Sequence, residues 1–301
     1  MRTNLDCFPC LLRQALEASR MATQDETIHR KVLDSVLSIL SDTSLQTSPP
    51  EIALLVHRRV KAITGNPDPY KEAKKRQNDL ALQHERSLFA QIADMPNPLK
   101  AASMLSASGN SIDLGPDYQS PDIYGRGLEM ITRGFARDDY DVFYEKLAQS
   151  KSVLFLGDNA GEIVWDKILI EDLLHRFDLD IVYAVRGWPI LNDATMEDAE
   201  YVGMAQLVKV IPNGSEAPGT LLNRCSEDFI GRFSKADLIL SKGQGNYESL
   251  STENRPIFFL LSAKCPVIAQ DVQCNIGDIV LKFHSSEERQ INEPGCDHPG
   301  Q

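Results

Sequence analysis

Three short stretches of this 301-residue chain carry side chains suited to holding a cation against an anion. Asp158 and Asn159 follow an apolar run from Val153 to Leu156, and Glu162 comes shortly after them. Asp193 sits in an Asn192-Asp193-Ala194-Thr195 turn, and Lys242 opens Lys242-Gly243-Gln244-Gly245-Asn246, with Lys264 further on. Carboxylate, amide and carboxylate are hard oxygen donors that suit Mg²⁺ or Mn²⁺ and leave positions for water and substrate. The same donors do not forbid Co²⁺ or Ni²⁺, whose intrinsic affinities are higher. Two glycines beside a lysine let a backbone approach a phosphate closely while the ammonium adds a point charge. Each stretch also has a plainer reading: Asp158 as a helix N-cap, Gly161 as a packing residue, Lys264 as a solvated turn lysine. Convergence favours the chemistry, because each follows a predicted strand.

Bringing these groups together requires a parallel sheet. The run ending at Leu156 reads as a buried strand that turns into a helix spanning Ile163 to Phe177. Further strands are predicted at Leu179 to Val185, Leu207 to Ile211, Ala236 to Ser241, Ile257 to Leu261 and Val267 to Ala269, with Lys264 between the last two. Strands alternating with helices mark an α/β fold, in which ligands bind beyond the strands' carboxyl ends. Upstream, residues 1–95 read as an all-α domain. Its apolar stripes include Leu11, Leu12, Ala15 and Leu16, then Ile28, Val32, Val36 and Leu40, then Ile52, Leu55, Val56 and Val60. A long helix follows from near Pro69 to Ala93, its mixed-charge first half expected to face solvent. Another starts at Pro98, and Glu129 to Leu147 are predicted helical. The α/β domain is assigned to 96–290 and a flexible tail to 291–301.

With 43 acidic against 31 basic residues the formal net charge is −12, which argues against nucleic acid or an anionic membrane as partner and favours a cation as guest. The first residues contain no apolar signal segment and no run of 18 apolar residues occurs, so a cytoplasmic location is expected. Nothing in the pattern sets the oligomeric state. Six scattered cysteines fit free thiols. Cys7 and Cys10 read as small residues opening the first helix, near Pro9; the alternative is a tetrahedral metal site completed by Cys296 and His298.

Absent motifs narrow the class. There is no Walker-type loop, no Gly-x-Gly-x-x-Gly after a strand and no Gly-x-Ser-x-Gly elbow, which demotes nucleotide triphosphatases, dinucleotide oxidoreductases and serine hydrolases. An aspartyl nucleophile of the haloacid-dehalogenase kind would want Asp-x-Asp, whereas Ala160 stands two beyond Asp158.

The Gly157-Asp158-Asn159-Ala160-Gly161-Glu162 turn, the Asn192-Asp193-Ala194-Thr195 turn, the 242–248 loop Lys-Gly-Gln-Gly-Asn-Tyr-Glu and Gly109-Asn110-x-x-Asp113 together resemble the DUF89 family of ARMT1-like damage-control phosphatases. Cys7-x-x-Cys10 is similar to the start of its prokaryotic branch. The resemblance implies a helical N-terminal region on a Rossmann-like, mostly parallel sheet with helices on both faces. It also implies metal-dependent hydrolysis of phosphate esters of small metabolites. Carried over, Asp158, Asn159 and Asp193 match the metal ligands, Lys242, Gly243, Gln244, Gly245 and Asn246 the phosphate-contacting loop, and Lys264 the lysine that completes substrate binding. Asn110 and Asp113, ordinary turn formers on their own, join the substrate-binding set.

The expected mechanism is in-line attack by a metal-activated water, with Asp193 or Glu162 orienting or deprotonating it and Lys242, Lys264 and loop amides stabilising the developing charge. Two other classes stay open: an S-adenosylmethionine-dependent methyltransferase, whose nucleoside loop such a turn can imitate, and a non-catalytic metal- or metabolite-binding module.

Overall fold

The apolar stripes of the N-terminal region form the helices their spacing predicts. In a computed structural model, which describes residues 1–109 and 123–285, α1 (Cys7–Ala22), α2 (Glu26–Ser41) and α3 (Pro49–Thr64) bury Leu11, Ala15, Val32, Val36, Ile52, Val56 and Val60 in one cluster. Ser48 and Glu51 cap α3 reciprocally, satisfying amides the first turn leaves open. Cys7 and Cys10 lie in the first turns of α1 as half-buried free thiols. Asn110, Asp113, Cys296 and His298 lie outside the described residues.

His57 of α3 is buried with its Nε2 unpartnered among the described residues. Burial, with Lys61 adding a smaller push, lowers its pKa from 6.5 to about 3. The unfolded chain therefore takes a proton that the folded chain refuses between those values, and stability falls as pH drops below 6.5, by about 1.4 kcal/mol per pH unit. Urea unfolding at pH 7 and pH 5 should show about 2 kcal/mol of acid loss from this group, and His57→Leu should remove that share.

The sheet is assembled from β1 (Arg137–Asp138), β2 (Ser152–Leu156), β3 (Asp180–Val185), β4 (Lys209–Pro212), β5 (Leu238–Lys242), β6 (Ile257–Ser262) and β7 (Ile279–His284) in the order β1-β7-β6-β5-β2-β3-β4. Every pairing is parallel except β6 with β7. Alternation along the strands separates two cores. Val153, Phe155, Tyr183 and Leu240 face one way, with α5 (Pro98–Ser108), α7 (Tyr140–Gln149) and α8 (Glu162–Arg176). Leu154, Leu156, Ile239 and Phe259 face the other, with α11 (Glu227–Lys235), α12 (Gln244–Leu250) and α13 (Pro266–Val272). The fold is thus α/β, with a mostly parallel sheet and helices on both faces. Among the described residues no helix is long and apolar enough to cross a membrane.

Three elements differ from expectation. Val267 to Ala269 belong to α13, which Pro266 opens; three apolar residues cannot distinguish strand from helix, and the partner of β6 is β7 instead. The helix expected over Glu129 to Leu147 is divided into α6 (Ile123–Arg133) and α7 by Gly134, whose φ of 80° ends a helix, and by β1, which pairs with β7. Finally, the charged start of α4 (Lys71–Ala93) is solvated on one side only: Lys71, Glu72, Lys75 and Arg76 are exposed, but Lys74, Gln77 and Asn78 are buried, while its Ala81, Leu88 and Ile92 join the core under the sheet.

Candidate active site

From β2 the chain moves to β3 on one side, adds β4, and then returns to place β5 on the other side of β2. The carboxyl tips of β2 and β5 therefore flank a topological switch point, where the strand order leaves a crevice. Gly157 continues β2 by donating to Ala184 O at 2.9 Å. A side chain there would run into the Tyr183 hydroxyl. Asp158, Asn159 and Glu162 follow, with Gly161 at φ 77° immediately before α8.

The loop after β3 is bonded directly to this turn. Ala194 N donates to Asp158 O at 2.8 Å, Ala160 N donates to Asn192 O at 2.9 Å, and Asn159 and Asp193 form a β-bridge. Two loops distant in sequence thereby bring Asp158, Asn159 and Asp193 together, all nearly excluded from solvent. Asn159 Nδ2 donates to Asp158 Oδ2 at 3.1 Å and to Glu162 Oε1 at 2.8 Å. With the amide nitrogen turned to the carboxylates, the amide oxygen is the atom suited to a cation.

Lys242 ends β5 and is wholly buried. Its ammonium is enclosed among carboxylates. It lies 2.9 Å from Asp166 Oδ1 and 3.4 Å from Glu162 Oε2. Asp166 also accepts from Ser106 Oγ at 2.6 Å and Tyr183 Oη at 2.7 Å. Gly243, at φ 79°, touches Asp158 so closely that a β-carbon would overlap its carboxylate. Gly245 packs on Pro218 and Gly219. Asn246 Nδ2 donates to Lys242 O and Gly157 O at 2.8 and 3.1 Å, which locks the loop onto the β2 turn. Gln244 Oε1 accepts from Lys264 N at 3.3 Å, and Lys264 is exposed. Gly243→Ala is accordingly expected to displace Asp158 and to lower the unfolding temperature, as read by thermal denaturation; a melting temperature equal to wild type would contradict this packing.

Arg186 is the functional residue that sequence reasoning missed. It stands just beyond β3, is 2% exposed, and joins the three segments. Nε donates to Asp193 Oδ2 at 2.5 Å, Nη2 to Asp158 Oδ1 at 3.4 Å and Nη1 to Asn246 Oδ1 at 3.0 Å. The available signal was a charged residue directly after a buried strand. Asp166 carried one too, lying four residues beyond Glu162 on the same helix face.

Four buried carboxylates, Asp158, Glu162, Asp166 and Asp193, thus face two buried cations, Arg186 and Lys242. The excess shows in their acidities. Burial, reinforced by the Asp158 charge, pushes Glu162 up to about 8 against the pull of Lys242, Lys264 and Asn159. Burial and Asp158 likewise push Asp193 to about 7 in spite of Arg186. Burial alone would lower Lys242, but Asp166, Glu162 and Asp158 hold it above its usual value. An excess of two negative charges beside three oxygen donors fits one divalent cation. No cluster of three or more His, Cys, Asp or Glu among the described residues is set to hold a metal; the donor set here is two carboxylates and an amide.

The family model for the damage-control phosphatase ARMT1-like domain matches residues 3–280. The damage-control phosphatase PH1575 of Pyrococcus horikoshii is 32% identical over 287 residues, covering 93% of this chain and 97% of that protein. A damage-control phosphatase of Archaeoglobus fulgidus is 33% identical over 285 residues, with coverages of 92% and 97%. The crystal structure of PH1575, described as a DUF89 family protein, superposes with a TM-score of 0.87 at 31% identity, over 95% of this chain and 100% of that one.

Proposed function

This chain belongs to the ARMT1-like damage-control phosphatase family, and on that premise we propose that it is a divalent-metal-dependent phosphohydrolase acting on phosphate esters of small metabolites. The observation that carries the reading is the bridge between Asn159 and Asp193, which gathers three oxygen donors at the switch point with Gly243 pressed against one of them. Asp158, Asn159 and Asp193 would hold the ion, Mg²⁺ or Mn²⁺ by donor type. Such an ion supplies a lowered water pKa and neutralises charge on a phosphoryl group.

The protein's own residues do the remaining work. Arg186 fixes both ligand carboxylates and excludes water from behind them. The N–H groups of Gln244 and Gly245, in the first turn of α12, and the exposed Lys264 ammonium receive phosphoryl oxygens. Lys242 contributes indirectly, by holding Glu162 and Asp166 in place. Of the two carboxylates expected to handle the proton, we assign the task to Glu162. Asp193 is tied to Arg186 at 2.5 Å, whereas Glu162 Oε2 meets the Lys242 ammonium only at 3.4 Å, which leaves its carboxyl freer to exchange a proton.

The test is a phosphate-release screen of chelator-stripped protein against p-nitrophenyl phosphate and a panel of sugar phosphates, with Mn²⁺, Mg²⁺, Co²⁺ and Ni²⁺ in turn. Release that needs added metal and stops with EDTA is expected. Silence across the whole panel would overturn the reading. The relatives' names favour a phosphatase over the methyltransferase and binding-module alternatives.

A further inference from the structure

The first half of α4 touches both ligand loops, a contact the chemistry above does not use. Asn78 Oδ1 accepts from Gly161 N at 2.7 Å, two residues beyond Asn159. Asn78 Nδ2 donates to Asp198 Oδ1 at 3.0 Å. Asp198 Oδ2 in turn accepts from Thr195 N at 2.9 Å and Thr195 Oγ1 at 2.8 Å, two residues beyond Asp193. Lys74 Nζ completes the chain, 3.3 Å from Asp198 Oδ2 and 3.1 Å from Asp68 Oδ2. Asn78, Lys74, Asp198 and Thr195 are all buried. Gly161 receives α4 at close range: a β-carbon there would stand 3.1 Å from Gln77 Cβ and 3.3 Å from Gln77 O.

We propose that Asn78 and Lys74 are positioning residues of the metal site, α4 acting as a strut that sets the spacing between Asp158-Asn159 and Asp193. The inference rests on the metal-dependent reading above. Its physical basis is the choice of side chains. Burying an amide and an ammonium is costly unless every polar atom is matched, and apolar residues of similar volume would serve packing at least as well. What the polar set adds is direction. One planar amide grips the backbone of one ligand loop and, through Asp198, the cap of the other, so the two loops cannot slide apart independently. Metal ligands must be held within about 0.5 Å of a productive geometry, a tolerance that a buried hydrogen-bonded network of this kind enforces.

The experiment is a Mn²⁺ titration followed by electron paramagnetic resonance, paired with thermal unfolding, on the full chain. Asn78→Leu keeps the bulk and removes both hydrogen bonds; Lys74→Met does the same for the ammonium and serves if the first variant does not fold. Mn²⁺ affinity is expected to fall at least about tenfold in either, with a changed spectrum of the bound ion. Val36→Ala, in the α1–α3 core, should lower the unfolding temperature and leave Mn²⁺ affinity unchanged, and exposed Lys75→Ala should leave both unchanged. Strut variants that unfold at lower temperature yet bind Mn²⁺ as tightly as wild type overturn the proposal and assign α4 to stability alone. A wild-type protein that binds no Mn²⁺ or other divalent ion overturns the metal reading itself, a result recognisably different.

Discussion

Asp158→Asn should reduce metal-dependent phosphate release by at least about 100-fold while making the metal-free protein harder to unfold. The loss follows from converting a charged ligand to a neutral one at the centre of the donor set. The gain follows from what Asp158 does to its neighbours, since its charge raises both Glu162 and Asp193, already raised by burial. A carboxyl whose folded pKa exceeds its unfolded value contributes stability at low pH and loses it as pH climbs through the folded value. For Glu162 that window runs from 4.5 to about 8. Removing the Asp158 charge lowers the folded values and lessens the loss, so the difference between variant and wild type should open with rising pH, to on the order of 1 kcal/mol at pH 8. Urea titrations of EDTA-treated protein at pH 5 and pH 8 check it. A variant less stable than wild type at pH 8 would show that the Arg186 contact outweighs the crowding. Such a gain on losing function is the usual mark of a site arranged for a ligand rather than for the empty fold.

Lys242→Met has the largest expected effect on stability. The substitution removes the only cation within hydrogen-bonding reach of Asp166 among the described residues and half the support of Glu162, and leaves two carboxylates deep in the protein. Breaking a buried ion pair from one side costs about 3–5 kcal/mol, because the remaining charge stays desolvated. The cost carries a pH signature. Without the ammonium, the Glu162 carboxyl, already raised by burial, loses the pull that lowers it and holds its proton still more tightly when folded, so acid restores stability. The deficit against wild type should be largest near pH 8 and shrink towards pH 5, as measured by denaturant unfolding. A deficit that does not change with pH would mean that packing, not charge, is what Lys242 supplies. Restoring part of the loss with Asp166→Asn in the same chain would identify the uncompensated charge directly.

Much of this was legible in the residues because the signals are local. The α1–α3 helices follow from apolar spacing and from caps such as Ser48 and Glu51. The strands β2, β3, β5 and β6 follow from buried β-branched and aromatic runs ended by Gly, Asp or Lys. The turns carrying Asp158 and Asp193 follow from their position at strand tips. Where the local signal is ambiguous, expectation and fold part: three residues around Ile268 fit either period, and they fold as α13 while the partner of β6 is β7.

The sequence by itself determined which groups are present and that they sit at the ends of buried strands, since hydrophobic periodicity and turn chemistry are written within a dozen residues. Only the tertiary structure decided how those ends face one another. The pairing of β2 between β3 and β5 turned separate motifs into one crevice, and set Lys242 on Asp166 and Glu162 rather than in the open. It buried Arg186 between Asp158 and Asp193, and drew Lys74 and Asn78 of α4 inward onto Asp198 and Gly161. A charge is stable in the interior only beside its opposite. Which opposite it meets depends on segments that can be more than 100 residues away, as Lys74 and Asp198 are, and that pairing exists only once the chain has folded.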